Sequence, residues 1–247
     1  MSRGGAGLLR QRLAADGVAV TNCPVCHSTD RRRASATTAG TQILQCRGCG
    51  LRYASHVLPA AARVTLPPWA SAGVSAGAGS RDEFDLLEQA SERPGRLLCV
   101  TDAAAPLVSC AARRGWDATV VNFDAFTCDG PSEPQLDAVW FAGTLERAPD
   151  PVALLRRVRE HHMRRGGHLL VDAVNVHAPA RYLRRARWDE WRPGLRVTYP
   201  EPLTLRQILQ RAGFQVQVLR SQRYGPQTSW LDRHGFGTNL VALGRAV

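Results

Sequence analysis

The chain has 247 residues and a mass of 27.0 kDa, enough for one full α/β domain and a small accessory module. Its 32 basic residues are all Arg and outnumber 21 acidic residues, giving a formal net charge of +11. Because the chain contains no Lys, Schiff-base and pyridoxal-phosphate chemistry and the lysine of a phosphate-binding P-loop are excluded. The Arg excess occurs beside only two Ile. This composition is typical of a GC-rich genome, which accounts for part of the positive charge.

Charge is unevenly distributed along the chain. Residues 1–58 carry 8 Arg and 2 acidic residues, residues 59–150 carry 7 and 13, and residues 151–247 carry 17 and 6. An acidic middle between basic flanks favours domains that meet across an interface, or an anionic partner on one side. No apolar run approaches the length of about 18 residues that a membrane span needs, and the N-terminus lacks the apolar stretch of a secretory signal. We therefore expect a cytoplasmic protein.

The first pattern with chemical meaning is formed by four of the seven cysteines: Cys23, Cys26, Cys46 and Cys49. Two residues separate the members of each pair and 19 residues separate the pairs, which is the spacing of a four-thiolate zinc site. We predict a zinc ribbon over residues 23–58, after a lead-in of residues 1–22. Four thiolates leave no open coordination position, so the predicted zinc is structural and supplies the folding free energy of the module.

Other interpretations of these cysteines explain less. Cys23 to His27 spells the C-x-x-C-H signature of c-type haem attachment, but that chemistry requires export and leaves the second cysteine pair unexplained. Disulfides suit a secreted chain better than this one. His27 is an alternative ligand in place of one cysteine, although four thiolates already complete a tetrahedron.

A change in composition separates the ribbon from the rest of the chain. Residues 59–80 turn to Ala, Gly, Ser and Pro, which make up 12 of the 14 residues from 67 to 80. We predict a linker there and a second domain over residues 81–247. Its predicted strands are residues 96–100, 118–122, 138–142, 168–173, 214–220 and 240–243, and its predicted helices begin near residues 80, 106, 151 and 204. This alternation predicts an α/β fold with a parallel, doubly wound sheet.

The second domain resembles a known family in the stretch from residue 136 to residue 175. The stretch contains, in this order, an Asp at the start of a predicted strand (Asp137), Leu145-Glu146, Asp150-Pro151, Gly166-Gly167 and Asn175. Residues 204–216 add a helix, an Ala-Gly-Phe turn and a strand. Together with the cysteines, this order resembles the class I S-adenosylmethionine-dependent methyltransferases that carry an N-terminal zinc ribbon. The resemblance implies a Rossmann-like sheet.

The resemblance also implies where S-adenosylmethionine would bind, and those positions depart from the family pattern. The family's first strand runs into an acidic, glycine-rich turn. Cys99 stands at the acid, and Thr101, Ala103 and Ala105 stand at the three glycines. A Cβ costs about 1–2 kcal/mol where the backbone must be left-handed, and it intrudes on the ligand. The core pattern is therefore kept while the cofactor motif is degenerate.

The end of the second predicted strand, residues 118–122, also departs from the family pattern. Asn122 stands where the family has an acid for the ribose hydroxyls, and Asp124, two residues later, is an alternative partner. The resemblance thus implies cofactor contacts from Asn122 and Asp124. The 13 residues from 123 to 135 are too few for the helix and strand that the family places there. We therefore predict a sheet trimmed between its second and fourth strands.

Candidate catalytic residues are implied by the same resemblance. Glu146, Asn175, Tyr182 and Tyr199 would border the substrate side, and His177 would follow a strand whose carboxyl end faces the ligand crevice. Of these, Glu146, His177 and Tyr199 are the acid–base candidates. Arg147 and Arg196 stand where relatives have His. Each of these residues also has a structural interpretation, as a hydrogen-bonding residue of the fold.

Two Arg clusters complete the set of candidate sites. Arg31–Arg33 lies between the cysteine pairs, where a turn of the ribbon is predicted. Arg181, Arg184, Arg185 and Arg187 alternate with Tyr182, Trp188 and Trp191. Arg among aromatic residues is typical of surfaces that bind nucleic acid or another anion.

The sequence is compatible with three functions. The first is a divergent methyltransferase acting on a small or sugar-like acceptor. The second is a catalytically inactive relative, a pseudoenzyme that binds a protein partner or an anionic ligand. The third, which rests on charge alone, is a nucleic-acid-binding zinc-ribbon protein. The fold by itself does not decide among them.

Overall fold

A computed structural model describes residues 3–37, 40–64, 80–102, 104–126, 135–192, 194–222 and 236–247. Most of the predicted linker, residues 65–79, lies outside the described residues, and so does Ala103. In the described ranges, no helix combines the length and the apolar character that crossing a membrane requires.

The N-terminal part is built from short elements around the cysteines. They are α1 (Arg3–Asp16), β1 (Val18–Ala19), β2 (Arg31–Ala36), β3 (Gln42–Cys46), β4 (Arg52–Ala54), β5 (His56–Val57) and α2 (Ala60–Val64). β2, β3 and β4 form an antiparallel sheet, and β1 pairs with β5. Arg31–Arg33 was expected in a turn. That prediction is wrong, because the three residues pair with β3 as the first half of β2.

The second part alternates helices and strands as predicted. Its elements are α3 (Ser80–Ala90), β6 (Arg96–Val100), α4 (Ala104–Arg113), β7 (Asp117–Val121), β8 (Leu136–Ala142), α5 (Pro151–His161), β9 (Met163–Val174), α6 (Pro179–Arg184), β10 (Thr198–Tyr199), α7 (Pro202–Arg211), β11 (Phe214–Gln222) and β12 (Asn239–Ala246). The Gly-Gly turn expected at residues 165–167 is an irregularity inside β9, where the register with β8 shifts.

Six strands form the central sheet in the order β11-β12-β9-β8-β6-β7. The predicted α/β, doubly wound architecture is confirmed, but the sheet is mixed rather than parallel. β12 runs antiparallel to both of its neighbours because it returns directly alongside β11. β7 lies at the edge, and the described residues between β7 and β8 hold one short 3₁₀ turn, Phe123–Ala125. The described part of the chain therefore has the trimmed sheet that its short connection predicts.

Buried side chains cover both faces of this sheet. On one face α3 and α4 pack through residues such as Phe84 and Leu107 against Trp140. On the other face α5 and α7 pack against β8 and β9, and the same cluster contains Tyr53 and Leu44 of the ribbon. The ribbon therefore shares a core with the second domain, which provides apolar burial that so small a module lacks alone.

The ribbon sheet is also completed by the second domain. β10 pairs antiparallel with β4, placing Thr198 opposite Tyr53. A further apolar cluster joins Ile43 and Val57 of the ribbon to Trp188, Trp191 and Tyr199. Strand pairing and burial thus connect the two parts of the chain beside the carboxyl end of β9.

One buried acid of α3 makes stability depend on pH. Glu83 is 1% exposed and accepts a hydrogen bond from Gln222, and its second oxygen has no hydrogen-bond partner among the described residues. Burial raises the pKa of Glu83 from 4.5 to about 7. Between these values the folded chain holds a proton that the unfolded chain has lost. Stability is therefore expected to fall as pH rises through this window.

Replacing Glu83 with Gln is expected to remove this dependence. The Glu83→Gln variant should be more stable than the parent by roughly 3 kcal/mol at pH 8, and by much less at pH 5. Denaturant unfolding at the two pH values measures the difference. Glu92→Gln, an exposed site, is the matched control and should change stability by less than about 0.5 kcal/mol. An equal effect of Glu83→Gln at both pH values would contradict the assignment.

Candidate functional site

The four predicted metal ligands converge in the ribbon. The Sγ atoms of Cys23, Cys26, Cys46 and Cys49 all lie within 4.8 Å of one another. Cys23 and Cys49 are 3.5 Å apart, and Cys26 and Cys46 are 3.4 Å apart. Four sulfurs at about 2.3 Å from a zinc ion would be separated by about 3.8 Å, so the cluster is compatible with tetrahedral zinc.

Local backbone geometry explains why the cysteines converge. In the first turn the amide of His27 donates to the carbonyl of Cys23 at 2.9 Å. In the second turn the amide of Gly50 donates to the carbonyl of Cys46 at 3.0 Å, with a φ of +79° that favours glycine. The His27 ring is exposed and lies 3.6 Å from Asp150, so His27 stands apart from the four-sulfur cluster.

The cluster also carries charge suited to a metal. The hydrogen bond from Cys49 lowers the pKa of the Cys23 thiol to about 5, and the same contact raises the pKa of Cys49. A lowered pKa favours the thiolate, which is the form that binds zinc.

The predicted cofactor positions lie at the carboxyl ends of β6 and β7. Thr101 is buried, and its amide donates to the carbonyl of Val121 at 2.9 Å. Ala105 lies in the first turn of α4, its side chain outside the described part. The Asn122 side chain accepts from the amide of Asp124 at 2.9 Å and donates to Asp102 at 2.8 Å. The structure therefore brings Thr101, Asn122 and Asp124 to one edge of the sheet.

Arg147 occupies the space between the loops that follow β6 and β7. Its guanidinium forms ion pairs with Asp102, at 2.5 Å, and with Asp124. It also lies 5.2 Å from the centre of the Phe123 ring. The Arg147 side chain is 8% exposed. Arg147 thus joins the two loops from which cofactor contacts are expected.

A second Arg also contacts Asp124. Arg63 of α2 donates to Asp124 Oδ1 at 2.9 and 3.1 Å. It also donates to the carbonyl of Leu58 at 3.3 Å. Each oxygen of Asp124 is therefore occupied by a guanidinium. We name the set Arg63, Asp102, Asn122, Asp124 and Arg147 the crevice cluster.

Glu146 and Arg196 form a separate buried network. Glu146 is 1% exposed; its Oε1 accepts from the amide of Val174 at 2.8 Å and lies 3.7 Å from Arg196. Arg196 in turn donates to Glu190 at 2.7 Å. The second oxygen of Glu146 is buried without a hydrogen-bond partner among the described residues. These contacts hold the carboxylate between β9 and the 3₁₀ turn Asp189–Trp191.

Tyr199 and His177 occupy different environments. Tyr199 is fully buried and donates to the carbonyl of Trp191, and burial raises the pKa of its phenol. Such a group is a poor general base near neutral pH. His177 follows β9 and is partly exposed, with its ring 6.5 Å from Tyr182 and 5.6 Å from Phe236. Of the three acid–base candidates, His177 is the one within reach of solvent.

Sequence reasoning missed two members of the crevice cluster. Asp102 stands directly after a predicted strand, where acids of this fold class bind ligands, so its position was a readable signal. Arg63 lies in the predicted linker and reaches Asp124 across 61 positions, which no local pattern indicates. The predicted Arg–aromatic surface also needs correction, since Trp188 and Trp191 are buried.

Comparison with known proteins identifies the second domain. The family model described as a methyltransferase domain matches residues 69–219. A search of curated proteins finds no match. One similar structure is a chain from the complex of the Haloferax volcanii Trm112 methyltransferase activator with a methyltransferase. It is 15% identical with a TM-score of 0.51, over 72% of this chain and 94% of that one.

A second similar structure is a SAM-dependent methyltransferase from Archaeoglobus fulgidus. It is 14% identical with a TM-score of 0.50, and the match covers 67% of this chain and 92% of that one. At these identities the structures establish the fold, and the family match extends over more than half of the sequence. The chain therefore belongs to the methyltransferase-domain family and has its Rossmann-like fold.

Proposed function

We propose that this chain is a catalytically inactive member of the methyltransferase-domain family that acts by binding a partner. The observation that carries the proposal is the position of Arg147 between Asp102 and Asp124. These acids follow the two strands whose ends would hold S-adenosylmethionine. The cofactor would have to displace a guanidinium that is nearly buried and paired with both.

The energetic cost of that displacement is large. Separating a buried ion pair costs about 3–5 kcal/mol, and Arg63 adds a second guanidinium at Asp124. A cost of this size weakens binding by roughly two to four orders of magnitude. The paired guanidinium groups therefore support the proposal that this crevice does not accept the cofactor.

The remaining candidate residues support the same proposal. Glu146 and Tyr199 are engaged in buried contacts that connect β9 to the ribbon side of the fold. His177 is left without an acidic partner among the described ion pairs. A solved relative of this fold is a complex between a methyltransferase and the Trm112 activator, so association with another protein is compatible with the fold.

We further propose that the four cysteines bind one structural zinc ion. The Sγ positions are compatible with a closed four-thiolate site, and a completed tetrahedron would leave no position for a substrate. The ion would hold the two cysteine turns together and so maintain the sheet that β10 completes.

A second candidate function is methyl transfer to a small or sugar-like acceptor. It is favoured by Asn122 and Asp124, which retain hydrogen-bonding groups at the end of β7 where ribose hydroxyls would need them. Under this alternative, binding of S-adenosylmethionine would open the crevice cluster.

Calorimetric titration with S-adenosylmethionine and with its demethylated product distinguishes the two functions. The purified chain is expected to bind neither ligand at millimolar concentration. The variants Arg147→His and Arg63→Ala, checked for folding by circular dichroism, are expected to bind more tightly than the parent if the guanidinium groups are what exclude the ligand. Arg206→Ala, at an exposed site on α7, is the control. Binding by the parent with a micromolar Kd would overturn the proposal.

A further inference from the structure

The two Arg clusters of the sequence lie on one surface. β2, which carries Arg31–Arg33, is the outer strand of the four-stranded ribbon sheet. The 3₁₀ turn Arg185–Arg187, which follows α6, packs against β2. Segments about 150 positions apart in sequence therefore meet at the junction of the two parts of the chain. We name this surface the Arg surface.

Strand register extends the Arg surface across the ribbon sheet. Arg32 lies opposite Gln45, and Gln45 lies opposite Arg52. Residues directly opposite in antiparallel strands point to the same face, and Arg32 donates to the Gln45 side chain at 2.9 Å. Arg52 pairs with Glu201 at 3.1 Å, and Arg181 lies within electrostatic range of both. Positive charge thus continues from β2 to the end of β9.

Most of these guanidinium groups have no acidic partner among the described residues. No described ion pair involves Arg32, Arg185 or Arg187, and all three residues are exposed. On the Arg surface, acids contact Arg52 and Arg184. Elsewhere, Arg114 contacts two acids and Arg164 contacts Asp137.

An aromatic group borders the Arg surface. Tyr182 is 50% exposed, and the Arg181 guanidinium lies 3.8 Å from the centre of its ring. The centre of the His177 ring lies 6.5 Å from the centre of the Tyr182 ring and 5.6 Å from that of Phe236. An exposed ring at the border of a positively charged surface offers a planar group for stacking.

We propose that the Arg surface and Tyr182 bind single-stranded nucleic acid. Guanidinium groups match phosphate oxygens along a backbone, and an aromatic ring stacks on an unpaired base. An acidic polypeptide would use the charge but would leave Tyr182 without a role. Nucleic acid would be the partner in the binding function proposed above, on which this proposal rests. The Arg surface that would bind it is distinct from the crevice cluster.

Fluorescence anisotropy with labelled oligouridylate and oligothymidylate of about 16 nucleotides tests the proposal. The unmodified chain is expected to bind, with an affinity that falls steeply between 50 and 200 mM salt as is typical of phosphate contacts. The double variant Arg185→Ala/Arg187→Ala is expected to lose about tenfold in affinity. Its salt slope should become shallower by about 1.4, or 0.7 for each lost contact. The double variant Arg206→Ala/Arg220→Ala removes the same charge from exposed sites on α7 and β11 and should change the affinity less than twofold.

Replacing the Tyr182 ring distinguishes binding of nucleic acid from binding of an acidic protein. Tyr182→Ala is expected to weaken oligonucleotide binding roughly fivefold or more, whereas Tyr182→Phe should retain it. Labelled polyglutamate serves as the competing probe. If polyglutamate binds as tightly as the oligonucleotides and Tyr182→Ala affects neither, the surface binds an acidic polypeptide and the proposal is wrong. Absence of oligonucleotide binding at 50 mM salt would also overturn it. The S-adenosylmethionine titration is independent, so failure of one proposal does not imply failure of the other.

Discussion

Loss of the metal from the four-cysteine cluster is expected to unfold the ribbon. The variant Cys49→Ser, or treatment of the unmodified chain with a chelator, should remove the ion and with it the free energy that holds the two cysteine turns together. Structural zinc in small modules contributes on the order of 10 kcal/mol or more. The described ribbon core is small and is shared with the second domain through residues such as Tyr53.

The effect should extend beyond the ribbon. β10 pairs with β4, and Trp188 and Trp191 pack against Ile43 of the ribbon. Unfolding the ribbon therefore exposes these rings to water. We expect a red shift of the tryptophan fluorescence, together with a loss of about one zinc ion per chain by elemental analysis. Both changes should occur at the same chelator concentration.

The control for this experiment is another cysteine. Cys110 lies in α4, outside the four-sulfur cluster, so Cys110→Ser should leave the metal content and the fluorescence unchanged. A Cys49→Ser protein that keeps the parent Tm and fluorescence without metal would show that the ribbon folds without zinc.

Replacing Arg196 with Ala is expected to destabilise the protein by about 3–5 kcal/mol. Arg196 is 4% exposed and lies between Glu146 and Glu190. Without it, the buried Glu146 carboxylate beside β9 loses the guanidinium that lies 3.7 Å from it. Denaturant unfolding measures the loss, which should appear as a lower midpoint with an unchanged slope.

A double variant tests whether this loss comes from the unpaired acid. Combining Arg196→Met with Glu146→Gln removes both charges, and replacing both partners of a buried pair is often nearly neutral. We therefore expect the double variant to be more stable than Arg196→Ala. Arg206→Ala, on the exposed face of α7, should change stability by less than about 0.5 kcal/mol. If Arg196→Ala behaves like Arg206→Ala, the network does not stabilise the fold.

Much of the fold is predictable because local signals and burial agree. Residues 97–100 form an apolar run after Arg96, and β6 has the predicted limits, Arg96–Val100. Asp150 before Pro151 indicates a helix start, and the Asp150 side chain caps α5 by accepting from the amide of Ala153. The antiparallel direction of β12 was missed, because a short apolar strand has the same pattern in either orientation.

The cysteine cluster was equally predictable, since its ligands come in two local pairs whose spacing reflects the turn that each pair must form. The crevice cluster was not. Arg147 was recognised as an unusual residue, but its partners Asp102 and Asp124 lie 45 and 23 positions away. Ion pairs of this range depend on how strands are ordered in the sheet.

The sequence alone therefore determined the family, the strand–helix alternation and the four-sulfur site, because each depends on periodicity or on spacing within a short segment. The role of the Arg excess was decided by the tertiary structure. Chain folding places Arg147 between two acids, buries Arg196 and brings Arg31–Arg33 beside Arg185–Arg187. Whether a guanidinium pairs with a buried acid or faces solvent depends on which distant acids the fold brings near it.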